Sequence, residues 1–253
     1  MTADRSILQL LPEWREVPLA DAYASVGLQD KALPGRPYVV ANMVTTADGR
    51  AALGGRTKLL SSDVDRELFH RLREQVDAVM VGVSTIALEN YGPLVRDAER
   101  RERRRAAGLE PVPLAVTASR SLELPVDAPL FADPDQPVVV LTNSERPAPA
   151  APGLVVERQA GETLDLSLGM ATLRERYGVR ALLMEGGPTL LAAMIEARLV
   201  DELFLSLAPV LAGDAGEPSI LGGSVGDPVS LKLLSALHDD GHLFLRYDLN
   251  PSR

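Results

Sequence analysis

The chain repeats one pattern: short, unbroken apolar runs that end in glycine, hydroxyl or acidic residues, separated by stretches of helical periodicity. The runs fall at 38–43, 78–82, 114–117, 138–142, 154–157 and 181–185. They lack the period-2 alternation of a half-exposed strand. Each therefore reads as a strand covered on both faces, which is the signature of a largely parallel sheet. Residues 202–207 and 242–249 alternate more and are expected as antiparallel strands closing that sheet. Ser62 is placed to cap a helix over 63–75, with Leu68, Leu72 and Val76 on one face. Further helices are expected over 97–107 and 165–177, stopped by Gly108 and Gly178, and over 188–197, with Pro188 near its first position. Strand–helix alternation of this kind implies an α/β class. The Pro/Ala stretch 147–152 reads as a surface loop, because strands continue on both sides at the same rhythm. One domain is expected over 36–253, preceded by an N-terminal extension over 1–35 that contains Pro12, Pro18 and Pro34.

Composition narrows the function classes. With 253 residues, 46% of them hydrophobic, the chain can bury a substantial core. A net charge of −9 repels phosphate backbones and anionic membranes, so neither nucleic acid nor membrane is expected as a partner. The basic cluster Arg100, Arg101, Arg103, Arg104 and Arg105 reads as a solvated helix face paired with Asp97 and Glu99. Zero cysteines exclude disulfides, thiolate metal sites and cysteine nucleophiles. No apolar run reaches the ~18–20 residues of a membrane helix, and residues 1–6 contain no signal-peptide core, so a cytoplasmic location is expected. His238 and His242 flank an Asp-Asp-Gly turn and lack further ligands, so no metal is expected.

The strongest local signal is a buried run ending at Glu185, followed by Gly186, Gly187, Pro188, Thr189 and Leu190. Two glycines permit a sharp turn and close backbone approach, and a helix then begins with free N–H groups. Such a turn binds a pyrophosphate, or serves only as a tight connection. Gly82, Ser84 and Thr85 close a second run and suit the other wall of a dinucleotide site. Thr117, Ser119 and Arg120 follow a third; hydroxyls plus an arginine suit the 2′-phosphate of NADPH, or form an ordinary polar turn. Asn42 and the Asp48-Gly49 pair at the end of the first run either surround a substrate ring or form a plain turn. Neither a standard G-x-G-x-x-G fingerprint, a Walker A loop nor a Gly-x-Ser-x-Gly elbow is present.

In order and spacing these pieces resemble the reductase domain of the bacterial riboflavin-biosynthesis deaminase–reductase. The segments that carry the likeness are Arg36-Pro37-Tyr38-Val39, Thr46-Ala47-Asp48-Gly49-Arg50, Ser61-Ser62, Phe69-His70-Arg71-Leu72-Arg73, Asp77 to Thr85, Met184-Glu185-Gly186-Gly187-Pro188, Leu199-Val200-Asp201-Glu202 and Ala208-Pro209. The resemblance implies a three-layer, dihydrofolate-reductase-like fold, NADPH as cofactor and a homodimer. It implies cofactor contacts at Val44, Leu59, Thr85, Glu89, Ser119 and the helix start from Gly187. It places a ribosylamino-pyrimidine 5′-phosphate against Thr57, Arg73, Asn90, Arg96 and Glu185, with the arginines expected at the phosphate. The implied reaction is hydride transfer that opens the sugar to a ribityl chain, with Glu89, Asp48 or water supplying the proton. Alternatives are reduction of dihydrofolate or another pterin or pyrimidine, and a non-catalytic NADPH-binding protein. The chain departs from the family pattern at Leu59, usually tryptophan, and over Glu89-Asn90-Tyr91-Gly92-Pro93-Leu94-Val95-Arg96, where Tyr91 and Pro93 reshape the loop over the substrate.

Overall fold

The computed structural model describes residues 5–24, 26–213 and 216–250. Residues 1–4 of the expected extension and 251–253 of the expected domain lie outside them. The strands, in chain order, are β1 (Ser6–Leu11), β2 (Arg15–Pro18), β3 (Tyr38–Thr46), β4 (Ala78–Met80), β5 (Leu114–Ala118), β6 (Val138–Thr142), β7 (Leu154–Arg158), β8 (Ala181–Met184), β9 (Glu202–Ala208), β10 (Lys232–Asp239) and β11 (His242–Asp248). The helices are α1 (Asp63–Arg73), α2 (Val83–Leu88), α3 (Ala98–Ala106), α4 (Pro129–Ala132), α5 (Leu166–Arg176) and α6 (Pro188–Glu196). The chain is mixed α/β, as expected, and divides into two compact units.

One unit comprises Leu28–Tyr38 and Arg73–Gly187. Its strands run in the order β8-β4-β5-β6-β7, all parallel. The unbroken apolar runs have the burial their composition requires: every residue of β4, β6 and β8 is buried. β7 lies at the edge, and there Val155 remains 46% exposed. Asp77 ties the strand starts together, its Oδ2 accepting from the Arg180 and Ala181 N–H groups at 2.8 Å each. The turn before α3 uses Asp97, which accepts from the Arg100 N–H, and α5 is capped likewise by Asp165.

The basic cluster on α3 corrects its expected role as a solvated face. Arg104 is fully buried; its guanidinium donates to the carbonyls of Arg73, Val76 and Glu110. Burial pushes it down to about 10, still charged at neutral pH. Arg100 and Arg103 converge on Glu74 at 2.6 and 2.8 Å. Burial raises the Glu74 carboxyl, but the two arginines together hold it below its usual range. Arg103 and Arg105 stay on the exposed side, as expected, Arg103 also pairing with Glu99 at 4.0 Å, so the correction falls on Arg104 and on the shared partner Glu74.

The other unit comprises the N-terminal segment to Gly27, Val39–Leu72 and the chain from Pro188. Its order is β2-β1-β10-β11-β9-β3. All neighbours are antiparallel except β9 and β3, which are parallel. The expected antiparallel strands at 202–207 and 242–249 thus pair with each other, while β9 also continues the parallel arrangement beside β3. Ile7, Leu19, Val64, Leu68, Leu237 and Phe244 form the core on one face. Ser62 caps α1, accepting from the Asp65 N–H at 3.1 Å. Asp201 accepts from the Val39 N–H at 2.9 Å, and Glu202 receives a two-pronged ion pair from Arg246 at 2.6 and 2.8 Å.

A candidate dinucleotide and substrate site

In the parallel unit, β4 and β8 are neighbours in register, Met80 against Met184. From β4 the chain proceeds outward to β5, β6 and β7, then returns to the other side of β4 as β8. Adjacent parallel strands whose connections leave in different directions open a crevice at their carboxyl ends, where α/β sheets take ligands. The sequence puts glycine there on both sides. Gly82 follows β4 and Gly186-Gly187 follow β8, with the Gly82 N–H 3.3 Å from the Gly186 carbonyl. A Cβ on Gly82 would come within 3.3 Å of the Gly187 Cα, a contact tight enough that the facing backbone would have to give by a few tenths of an ångström. Gly186 and Gly187 have φ of +95° and +88°, the left-handed region, and the space above Gly186 is open.

Other candidates lie in the same unit. Thr85 is half-buried in α2, and Glu89 caps that helix with its N–H on the Thr85 carbonyl. Asn90 has φ +47°, and its N–H and that of Tyr91 bond back to the carbonyls of Ala87 and Ile86. This is the paired-bond stop of a helix, with Asn in the left-handed position. Asn90 therefore has a backbone reason to be asparagine, independent of any ligand. At the end of β5, Thr117 is buried with no hydrogen-bond partner for its hydroxyl among the described residues. The Ser119 Oγ accepts from the Leu122 N–H at 3.0 Å. Arg120 is exposed and has no ion-pair partner among the described residues.

Arg73 and Glu185, both expected at the substrate, instead meet each other. The guanidinium donates from Nε and Nη2 to the two carboxylate oxygens at 2.6 and 2.7 Å, from Nη1 to the Leu94 carbonyl at 2.6 Å, and from Nη2 to the Tyr91 hydroxyl at 2.6 Å. Tyr91 in turn donates to Glu185. The pair is deeply buried, the side chains 8% and 1% exposed. Burial, with the Glu185 charge adding to it, holds the Tyr91 phenol well above its ordinary range, so it stays a donor at any physiological pH. Arg96 differs: it is exposed, has no ion pair among the described residues, and its guanidinium lies against Gly92, where a Cβ would collide with it. Of the two arginines, only Arg96 presents its charge to solvent.

The remaining candidates belong to the other unit. Asn42 and Val44 are half-buried within β3, which runs on to Thr46 rather than ending at 43. Thr57 and Leu59 lie in a short 3-10 turn, Leu59 67% exposed. Pro188, Thr189 and Leu190 open α6, as the turn required. The Gly222 N–H reaches the Pro188 carbonyl at 3.0 Å. Asp48 accepts from the Thr46 hydroxyl at 2.5 Å and from the N–H groups of Ala212 and Gly213 at 3.1 and 2.7 Å. These bonds, the threonine's foremost, hold its carboxyl down to about 2. It carries no proton to give at neutral pH, and it pins the loop after β9. Those loop partners lie 164 and 165 positions away, beyond the reach of any local motif.

The family profile of the RibD C-terminal domain matches residues 37–245. The chain belongs to that family. The 2,5-diamino-6-ribosylamino-4(3H)-pyrimidinone 5′-phosphate reductase of Archaeoglobus fulgidus is 33% identical over 195 residues, covering 74% of this chain and 87% of the relative. The reductase of the same description from Aquifex aeolicus is 27% identical, covering 74% and 84%. A crystal structure of a pyrimidine reductase-like protein from Corynebacterium diphtheriae superposes with a TM-score of 0.72 at 25% identity, over 84% of this chain and 92% of that one. Membership of the RibD reductase family bears out the resemblance drawn from the motifs, and with it the dihydrofolate-reductase-like fold. Among the described residues no helix is long and apolar enough to cross a membrane, and no acidic or histidine cluster could hold a metal.

Proposed function

We propose that the chain is an NADPH-dependent reductase of a ribosylamino-pyrimidine 5′-phosphate, converting the ribosylamino group to ribitylamino. One observation carries this reading: the glycine turns side by side at the carboxyl ends of neighbouring parallel strands β4 and β8, in a member of a family whose relatives are named as reductases of that substrate class. The open backbone over Gly186 fits a dinucleotide. Bound there, a reduced nicotinamide dinucleotide supplies hydride. The protein's own work is alignment and exclusion of water. Gly82, Gly186 and Gly187 admit the pyrophosphate; Thr85 and Ser119 line the approach. Arg120, exposed at the end of β5, takes the 2′-phosphate that distinguishes NADPH from NADH. Arg96 takes the substrate phosphate. Arg73 and Glu185, spent on each other, hold the loop between them. Glu89 or water supplies the proton; Asp48, ionised, does not.

A homodimer accompanies this reading. Leu205 and Leu207 of β9 stand opposite Leu245 and Leu243 of β11 on one sheet face, all half-buried, with Tyr247 beside them. Such an apolar face suits a second copy of the chain.

Arg120→Ala tests the cofactor assignment. Its NADPH affinity is expected to fall about tenfold or more, the loss of one charge-assisted contact, while NADH affinity stays within twofold (about 1.4 kcal/mol per tenfold). Titration calorimetry reads both; equal losses for the two nucleotides would refute the placement.

A further inference from the structure

The loop that departs from the family pattern at Tyr91 and Pro93 is tied through both its backbone and its side chains. The Tyr91 carbonyl accepts from the Leu130 N–H at 2.9 Å. The Leu94 N–H reaches Oε1 of Gln136 at 3.0 Å, and Gln136, itself buried, is held by its amide on the Pro113 and Pro137 carbonyls. The Leu94 carbonyl receives Arg73 Nη1. The tyrosine side chain is fixed as well. Its hydroxyl donates to Glu185 and accepts from Arg73, and the Arg73 guanidinium carbon sits 5.6 Å from the ring centroid, within cation–π range. Yet Tyr91 is not sealed in: it is half-buried, whereas Arg73 and Glu185 beneath it are almost wholly inaccessible.

A buried ion pair costs desolvation and is weak evidence of stabilisation for its own sake. Here its remaining groups are spent on one aromatic hydroxyl and the Leu94 carbonyl. The carboxylate accepts Arg73 twice and Tyr91 once, leaving about one of its ~4 acceptor positions. A substrate has little left to bond on this pair, but the ring the pair holds remains reachable.

We infer that Tyr91 is the specificity-determining platform for the substrate heterocycle, its ring face stacking on the flat pyrimidine while Arg73 and Glu185 act as positioning residues that hold the hydroxyl. This rests on the reading of the chain as a pyrimidine reductase. A rigid aromatic has little conformational freedom to lose on binding, and its face stacks on a flat heterocycle whatever the ring's substituents. The platform also accounts for the Asn90 stop at the end of α2, which turns the chain so that the next residue faces Arg73.

The experiment compares wild type, Tyr91→Phe and Tyr91→Leu by steady-state kinetics with the ribosylamino-pyrimidine 5′-phosphate, and measures NADPH affinity of each as a check on folding. Tyr91→Leu is expected to raise KM about tenfold, with kcat changed less than threefold and NADPH affinity unaltered. Tyr91→Phe, which keeps the ring, is expected to stay within about threefold of wild type in KM. Tyr91→Leu with wild-type KM would overturn the platform. So would Tyr91→Phe as impaired as Tyr91→Leu, because the hydroxyl and not the ring would then carry the effect. A wild type that binds NADPH but turns over no pyrimidine would overturn the functional reading first, and the platform with it.

Discussion

Asp48 and Arg73 show how a residue's type announces charge without announcing its partner. Both were legible as candidates: an Asp-Gly after an apolar run, and an arginine in a segment that carries the family resemblance. Their partners were not, because Asp48 is held by backbone N–H groups of a distant loop and Arg73 by a carboxylate 112 positions away. Pairing at that separation leaves no period or spacing to read. The Asp48 bonds make a pH prediction. Its folded pKa of about 2 lies below its ordinary 3.8, so the unfolded chain binds the proton more readily. The stabilisation is therefore fully present above pH 3.8 and lost as pH falls through 2. Asp48→Asn is expected to lower Tm at neutral pH, and the gap to wild type is expected to close between those two values. Thermal melts across that range test it; a gap that persists at the acid end would mean the carboxylate's charge is irrelevant.

At the scale of elements, legibility followed burial. The continuous runs of β4, β6 and β8 identified themselves because both of their faces are covered, and the helices at α1, α3, α5 and α6 were marked by Ser62, Asp97, Asp165 and Pro188 at their starts. β1, β2, β10, α2 and α4 escaped. β1 and β10 face water on part of their length, so they lack the unbroken apolar run. α2 hides inside Val83-Ser84-Thr85, whose β-branched residues favour a strand by propensity; Gly82 and the Asn90 stop override it. The buried side of α3 escaped as well, since an arginine-rich helix reads as solvated until its neighbours are known. Arg104 there supplies the donors for the end of α1. Arg104→Met, similar in length and apolar, would leave the Arg73, Val76 and Glu110 carbonyls without it, at about 1–3 kcal/mol for each group that water does not reach. A fall in Tm of several degrees is expected, at about 2–4 °C per kcal/mol for a chain of this size. An unchanged Tm would show that those carbonyls find other donors.

At the scale of the whole molecule, the sheet pattern and the ordered motifs were enough to reach the family, because the turn after β8 needs two left-handed residues and Gly82 packs closely against it. The individual contacts with substrate were less legible, since they depend on which charges remain unspent once the chain has folded. Arg96 remains available and Arg73 does not. Dimerisation through the β9–β11 face predicts sedimentation at twice the chain mass; replacing Leu205 and Leu245 together by Glu is expected to yield monomers, and a wild-type monomer would contradict it. The central claim is tested most directly by following NADPH oxidation with the ribosylamino-pyrimidine 5′-phosphate and dihydrofolate in parallel. The account predicts turnover of the phosphorylated pyrimidine in preference to dihydrofolate, with KM raised when Arg96 is changed to Ala. Turnover of dihydrofolate alone, or cofactor binding with no oxidation by either compound, would contradict it.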